Sequence, residues 1–215
     1  MPLNSSLVKI TGRNASLIFS DAMEEIANDW ESQLKGENYT KFSLISPSVL
    51  KGRIDYIFPG FDSKNRIYAI KRGLSEKTSL VRIKHDGSIE NLVQLPEIVE
   101  NFGIHISGNL AVWNEIHPDR RWSKQSWSNI IIFNIEDESR QQITRNKRYY
   151  YPSISPKGNT IVTVEFNEKR DCFLVIIDAR NGNVINRISS ESIIMHPRWS
   201  PNGKQIVFIS QSYDG

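Results

Sequence analysis

Residues 151–162 read YPSISPKGNTIV, and residues 196–207 read HPRWSPNGKQIV. The second stretch repeats the first at a constant offset of 45 residues, with six identical positions: Pro152/Pro197, Ser155/Ser200, Pro156/Pro201, Gly158/Gly203, Ile161/Ile206 and Val162/Val207. Proline and glycine mark turns, and the Ile-Val run that follows them is typical of a β-strand. A phrase that returns at a fixed distance indicates a repeat architecture in which each copy is one supersecondary unit.

Two weaker copies lie upstream, FPGFDSKNRIYAI at 58–70 and FGIHISGNLAVW at 102–113, so that units begin near residues 55, 102, 151 and 196. Each unit contains four short β-rich runs, which in the third unit are YPSIS, TIVTVEF, FLVIID and NVINRIS. Four strands at a period of about 41 to 49 residues are typical of a β-propeller blade. A β-sandwich would not repeat a phrase at a four-strand interval. We therefore predict an all-β propeller of four-stranded blades, with positive φ at the turn glycines 158, 182 and 203.

The first fifty residues do not repeat. Within them, DAMEEIANDWESQLKG (21–36) places apolar residues four positions apart, which predicts one face of a helix formed by Ala22, Ile26, Trp30 and Leu34. Asp21 with Glu24 resembles a capping box, and Gly36 fits the end of the helix. We expect residues 1–50 to form a helical lead-in or the remnant of an upstream domain.

The blades are expected in residues 51–215, at approximately 55–95, 102–144, 151–189 and 196–215, the last of them partial. About three and a half blades are present, whereas a propeller closes with roughly four to eight. The sequence thus predicts an incomplete ring with a short N-terminal helix, in a chain that is a segment of a longer protein. In the alternative, residues 40–50 (TKFSLISPSVL) add a strand to the last blade and close a small ring.

Composition limits the classes of function. A content of 39% hydrophobic residues with five tryptophans supports a packed core, and the single cysteine, Cys172, excludes an intramolecular disulfide and a multi-cysteine metal site. No apolar run reaches the length of a membrane span or a signal peptide core, which leaves the compartment open. The zincin, nucleophile-elbow, phosphate-loop and dinucleotide motifs are absent, and the four histidines have no ligand spacing. We expect no catalytic residues, no cofactor and no metal site.

The phrases PSISPKGNTIV and PRWSPNGKQIVFIS resemble the WD40-like repeat of TolB-like β-propellers, with Asn202 in place of the usual aspartate and Ile154 in place of tryptophan. Residues 113–158 also resemble a subset of bacterial TolB-like proteins in which a peptidase-like domain precedes the propeller. The resemblance implies a platform that binds proteins or peptides, and it implies the bacterial periplasm or cell envelope as the location.

Two segments carry the positive excess of the chain. In a four-stranded meander, the loop between the second and third strands and the link to the next blade lie at the same end, which brings IHPDRRWSKQSW (116–127) and RNKRYYY (145–151) together. They hold six basic residues against Asp119, a net charge of +5, while the rest of the chain has 21 basic and 23 acidic residues. The candidate binding residues are Arg120, Arg121, Trp122, Lys124, Trp127, Arg145, Lys147, Arg148, Tyr149 and Tyr150.

Arginine and aromatic residues are enriched at interface hot spots, and loops on rigid scaffolds carry function. The sequence therefore favours a non-catalytic propeller that binds an acidic peptide or protein segment, or other domains of the same polypeptide. A net charge of +3 is modest for a nucleic-acid partner. Two alternatives remain open: the charges are ordinary solvated side chains above a packed loop, or the propeller positions substrate for a peptidase domain outside this chain.

Overall fold

The structure, a computed structural model, describes residues 2–37, 40–45, 53–96, 103–119, 121–122 and 125–212. Contacts divide the chain into two compact units, residues 1–43 and residues 44–215. The first unit contains helices α1 (Pro2–Thr11) and α2 (Ala15–Leu34). No strand is found in residues 40–45, and the rest of the segment proposed to close a small ring lies outside the described residues.

The helix predicted at 21–36 begins earlier than expected. Its N-cap is Asn14, whose side-chain oxygen accepts a hydrogen bond of 2.9 Å from the backbone N–H of Leu17. The proposed Asp21 capping box is therefore wrong, because Asn14 already satisfies the first free N–H and Asp21 pairs with Arg13 instead. No described residue of α2 is buried, and Trp30 is 61% exposed. Helix α1 has no counterpart in the sequence prediction.

The second unit is built from strands that pair antiparallel with their neighbours in chain order. We call the four sheets blades 1 to 4. Blade 1 contains β1 (Ile54–Phe61), β2 (Ile67–Gly73), β3 (Glu76–Ile83) and β4 (Ile89–Gln94), and blade 2 contains β5 (His105–Ser107), β6 (Leu110–Pro118), β7 (Ser126–Asn134) and β8 (Arg140–Gln142). Blade 3 contains β9 (Tyr149–Ile154), β10 (Thr160–Phe166), β11 (Cys172–Asp178) and β12 (Val184–Ser190), and β13 (Ile193–Trp199) and β14 (Ile206–Gln211) form blade 4. The predicted all-β, incomplete propeller with a short N-terminal helix is confirmed.

The repeated phrase forms the first strand, first turn and second strand of a blade. In both clear copies the glycine has positive φ, +70° at Gly158 and +68° at Gly203, and its N–H donates a 2.8 Å bond that closes the turn. The first strands share a second feature: the residue just before Pro59, Pro152 and Pro197 also has positive φ. These strands are irregular at that point, which re-aims the side chains that follow.

Three core clusters lie between successive blades, and a smaller one lies on blade 1 around Val81. One cluster joins blades 1 and 2 around Tyr68 and Trp113, and a second joins blades 2 and 3 around Ile130 and Ile154. Ile154, which stands where the repeat has tryptophan, is fully buried. Cys172 is a buried free thiol in the cluster between blades 3 and 4, as its apolar surroundings predict.

Candidate functional site

The loop between β6 and β7 is shorter than the sequence indicates. The hairpin continues to the pair Pro118–Ser126, so the loop comprises residues 119–125 only. His117 and Trp127 therefore face each other in strands rather than in a loop, because the ladder register extends through them. The loop and the link 143–148 to blade 3 border a cleft of about 900 Å³, which we call the second-blade cleft, lined among others by His117, Arg121, Trp122, Trp127, Gln142 and Arg145.

Asp119 holds the loop in shape. Its Oδ1 accepts hydrogen bonds from the backbone N–H groups of Arg121 (2.7 Å) and Trp122 (3.1 Å), and its Oδ2 accepts one of 2.9 Å from Trp127 Nε1. The N–H of Arg121, followed by the indole of Trp127, keeps the pKa of Asp119 below its usual value. Asp119, the one acidic residue in segments 116–127 and 145–151, therefore uses its carboxylate to hold the loop in position.

The predicted aromatic residues separate into two groups. Trp122 is 67% exposed at the cleft, whereas Tyr149 is 1% exposed and belongs to the core between blades 2 and 3. Burial raises the pKa of Tyr149 to about 12. Tyr150 is half-buried, with its ring centroid 5.7 Å from that of Phe166. The two tyrosines thus pack below the surface, whereas the exposed Trp122 and the half-buried Trp127 line the cleft.

The basic side chains surround this aromatic surface. Arg121, Arg145 and Lys147 are exposed, and the half-buried Arg148 lies 6.0 Å from the ring centre of Trp127. These four cations make no ion pair within the described parts of the chain. Arg120 and Lys124 fall outside the described residues.

A buried carboxylate lies next to a residue that lines the cleft, since Glu115 Oε2 is 3.7 Å from Nε2 of His117. Glu115, 3% exposed, accepts two hydrogen bonds from Arg140 Nη2 (2.7 and 2.6 Å) and one of 2.9 Å from Trp113 Nε1. Glu115 was not among the residues predicted from the sequence. The alternation along β6 carried a signal, since Trp113 and Glu115 are two residues apart and must share a face of the sheet.

The link to blade 3 is fastened to β7 through its backbone. The N–H of Ser128 donates to Lys147 O at 2.6 Å, and the N–H of Lys147 donates to Asn129 Oδ1 at 3.2 Å. Ser128 Oγ also donates to Tyr149 O at 2.6 Å. Hydrogen bonds thus hold the backbone of the link at Lys147 and that of the loop at Arg121.

Blade 1 has a cleft between the equivalent segments, the loop that joins its second and third strands and the segment that follows its fourth strand. Its loop 74–75 and the link after β4 border about 630 Å³, which we call the first-blade cleft. Here Asp55 pairs with both Arg72 (3.3 Å) and Arg53 (3.8 Å), and Lys71 pairs with Glu76 (2.8 Å). Of the cations lining it, Lys77 alone has no ion pair in the described structure. The second-blade cleft differs from the first because its arginines lack such partners.

The described side chains include no cluster of three or more His, Cys, Asp or Glu that could hold a metal ion. Neither described helix is long and apolar enough to cross a membrane.

Comparison with solved structures places the fold. A putative TolB from Agrobacterium tumefaciens superposes with a TM-score of 0.56 at 16% sequence identity, over 73% of this chain and 55% of that one. TolB from Acinetobacter baumannii gives a TM-score of 0.56 at 12% identity, over 75% of this chain and 39% of that one. A Pyrococcus horikoshii acylaminoacyl peptidase matches at 20% identity with a TM-score of 0.41, over 50% of this chain and 16% of that one. No protein-family model matches the chain, and no curated protein does so either.

Together, the successive four-stranded meanders define a β-propeller. Among propellers, the chain has the TolB-like fold that its repeated phrase predicts. It spans 55% and 39% of the two TolB chains, so the likeness concerns the fold and not the activity of those whole proteins.

Proposed function

We propose that this propeller is a non-catalytic binding module that captures an acidic peptide or protein segment in the second-blade cleft. The observation that carries the proposal concerns Arg121 and Arg145, which line the cleft with the exposed ring of Trp122 and have no ion-pair partner among the described residues. Elsewhere in the propeller, arginines such as Arg66 and Arg140 contact carboxylates of the chain itself. A cleft whose cations are left without acids is electrostatically complementary to an anionic partner.

Recognition would rest on two kinds of contact. A guanidinium presents a planar fork of N–H donors that matches a carboxylate, so Arg121 and Arg145 each bind an Asp or Glu side chain of the partner. Trp122 offers an apolar face for a side chain lying between those acids. The Asp119 hydrogen bonds fix the loop before binding, which lowers the entropy cost of ordering it.

The proposed setting is the bacterial periplasm or cell envelope, as the resemblance to TolB-like repeats implies. In that setting the propeller presents its loops as a rigid surface and carries out no chemistry of its own.

Binding is tested by fluorescence anisotropy with a labelled peptide rich in glutamate that contains one phenylalanine. A peptide with glutamine in place of glutamate serves as the uncharged comparison. We expect saturable binding of the acidic peptide that weakens as salt rises, because the charges are exposed and screened. Arg121→Glu combined with Arg145→Glu should weaken it by about tenfold or more.

The matched control is Arg53→Glu combined with Arg72→Glu, which makes the same charge change at the first-blade cleft. Equal losses in the two double variants would mean that only net charge matters, and the cleft would not be the site. Tighter binding of a single-stranded oligonucleotide than of the acidic peptide would assign the surface to nucleic acid instead.

A further inference from the structure

Helix α2 carries an apolar stripe that is exposed in the described structure. Its members recur every three or four positions and therefore lie on one face of the helix. They are Phe19, Met23, Ile26, Trp30 and Leu34. Their exposed fractions range from 40% to 68%, and no described residue of α2 is buried. Single exposed apolar side chains are ordinary on a protein surface, but a row of them along roughly 22 Å of helix indicates an interaction surface.

The spacing of the stripe indicates which kind of element covers it. From Phe19 to Trp30 the apolar positions are four, three and four residues apart. Alternating steps of three and four form the narrow seam along which two helices pack, with the side chains of one filling the gaps of the other. The element that fits this pattern is a second helix with an apolar face of its own.

The polar surface of α2 is acidic throughout. Residues 15–34 contain five carboxylates and neither lysine nor arginine. They are Asp21, Glu24, Glu25, Asp29 and Glu31. Asp21 pairs with Arg13, whereas the other four make no ion pair within the described parts of the chain. Four negative charges on this helix are therefore left for a partner.

These carboxylates flank the stripe on both sides. At 3.6 residues per turn, Glu24 and Glu31 lie on one flank, about 100–120° from the centre of the stripe. Asp29 lies about 100° from the centre on the other flank, where its Oδ2 accepts a 2.9 Å hydrogen bond from Gln33 Nε2. A lysine or arginine can lay its aliphatic stem along an apolar surface and place its charge at the edge. The flanking carboxylates therefore fit a partner helix with basic residues beside its apolar face.

Two other occupants fit these charges less well. A second copy of α2 would bring five more carboxylates to the same contact, and like charges brought together disfavour association. A helix that lies on a membrane surface has lysine and arginine on its polar face, whereas the polar face of α2 is acidic. A basic partner protein is the occupant that agrees with both the stripe and the charges.

We propose that α2 is a docking helix whose apolar stripe packs against a basic amphipathic helix of a partner protein. The stripe supplies the apolar contact, and the flanking carboxylates select a partner with lysine or arginine beside its apolar face. This surface belongs to the N-terminal unit, and the proposal does not depend on the second-blade cleft, whose proposed partner is acidic.

The probe is a designed helical peptide of about three heptads, with leucine at the apolar positions and lysine beside them. A peptide with glutamate in place of lysine is the charge-reversed comparison. Fluorescence anisotropy of the labelled peptides measures their binding to the full chain, and the indole ¹H–¹⁵N signal of Trp30 reports the contact. We expect saturable binding of the lysine peptide with a shift of the Trp30 signal, and at least about tenfold weaker binding of the glutamate peptide.

Trp30→Ala tests the stripe. It should weaken binding of the lysine peptide by about tenfold or more, because a large aromatic side chain at a contact contributes disproportionately. Leu17→Ala is the matched control, since Leu17 is an exposed apolar residue of the same helix on the side away from the stripe. Far-ultraviolet circular dichroism checks that both variants keep their helices. Equal losses of binding in the two variants would overturn the stripe as the site.

Reversing the charge of one flank tests the selection by charge. Glu24→Lys combined with Glu31→Lys should make the glutamate peptide bind more tightly than the lysine peptide, a gain that unfolding of the helix cannot produce. Glu168→Lys combined with Glu191→Lys makes the same charge change at exposed positions of the propeller and should keep the original preference. The same reversal in both double variants would show that net charge alone decides, and would overturn the role of the flanking carboxylates.

Sedimentation distinguishes a partner protein from a second copy. The unsubstituted chain and Trp30→Ala should sediment alike at every concentration. A dimer that is lost in Trp30→Ala would assign the stripe to a second copy and overturn the proposal. Trp122→Ala should leave the titration with the lysine peptide unchanged, so that failure of this proposal and failure of the second-blade cleft are distinguishable.

Discussion

The first-blade and second-blade clefts are built from equivalent segments but differ in how their charges are used. In blade 1, Asp55 lies between Arg53 and Arg72 and neutralises both locally. In blade 2, the only loop acid, Asp119, accepts hydrogen bonds from the backbone and from an indole. Within the described residues, the guanidinium groups of Arg121 and Arg145 have no carboxylate partner. The same scaffold therefore gives one cleft that is closed to anions by its own acid and one that is open to them.

The two clefts show that the net charge of a surface does not by itself indicate whether that surface can bind an anion. What matters is whether each cation already has a carboxylate. Exposed ion pairs contribute little to stability, roughly 0–1 kcal/mol, so removing or adding such an acid changes recognition at small cost to the fold. Each of the following predictions alters one element of the comparison.

The largest effect is expected at Glu115, the buried carboxylate beside His117 of the second-blade cleft. Glu115→Ala leaves Arg140 and the fully buried indole of Trp113 without their acceptor. We expect a loss of about 3 kcal/mol in the free energy of unfolding, roughly a hundredfold in the equilibrium constant, after allowing for the partial exposure of Arg140. Urea denaturation measures it.

The control for this variant is Glu90→Ala in blade 1, which breaks a more exposed pair with Arg82 and should cost less than about 1 kcal/mol. Similar losses in the free energy of unfolding for the two variants would show that the pair of Glu115 with Arg140 stabilises the fold no more than an exposed ion pair does.

The next effect concerns the apolar contact. Trp122→Ala should weaken peptide binding by about tenfold, because exposed tryptophans at the centre of a binding site contribute disproportionately. Its Tm should barely change, since the side chain is 67% exposed. Leu74→Ala is the matched variant in the first-blade loop, where Leu74 is 93% exposed, and it should leave the anisotropy titration unaltered. If Leu74→Ala weakened binding as much, the two clefts would not differ in function.

A smaller effect is expected from exchanging the charge patterns of the clefts. Asn146→Asp places a carboxylate beside Arg145. Residue 146 has a positive φ of 52°, which Asp tolerates as Asn does. The new carboxylate should pair with the arginines of the cleft and thereby reduce the affinity for the peptide several-fold. Asp55→Asn removes the carboxylate that pairs with Arg53 and Arg72 and should add a weak second site for the same peptide. Calorimetric titration counts the sites, and an unchanged stoichiometry with unchanged affinity would contradict the pairing argument.

The smallest effect is the pH dependence of the loop. The folded protein lowers the pKa of Asp119 below its ordinary value of 3.8. The carboxylate therefore stabilises the loop fully at a pH above 3.8, and this stabilisation is lost as the pH falls through the lowered pKa of the folded protein. The fluorescence of Trp122 and Trp127 should change in that range before global unfolding. Trp127→Phe, which lacks the indole donor, should shift the midpoint upward; an identical midpoint would show that Asp119 does not hold the loop.

The fold was predictable because its determinants are local and repeated. The Pro-Gly turn and the Ile-Val run of 151–162 place the third blade's strands within a few residues of their observed bounds. The placement of the loop and the link at one end also followed from strand order alone. Both predictions depend on period and topology, which the sequence displays directly.

The remainder depends on contacts between residues distant in sequence. Tyr149 sits in a core because β9 begins at that residue, and nothing local separates it from the exposed positions before it. The pairing of Glu115 with Arg140 joins β6 to β8 and needs the register of the sheet. The start of α2 was missed because Asn14 caps it before the apolar spacing becomes regular.

The indole signals of the five tryptophans can show directly whether the second-blade cleft is the binding site. Trp122 and Trp127 lie at the cleft, Trp113 in the core of blades 1 and 2, Trp199 in blade 4, and Trp30 in the N-terminal unit. In a ¹H–¹⁵N titration with the acidic peptide, we expect the indole signals of Trp122 and Trp127 to shift with saturation while the other three stay in place. A saturable shift confined to Trp199 or Trp30 would contradict it.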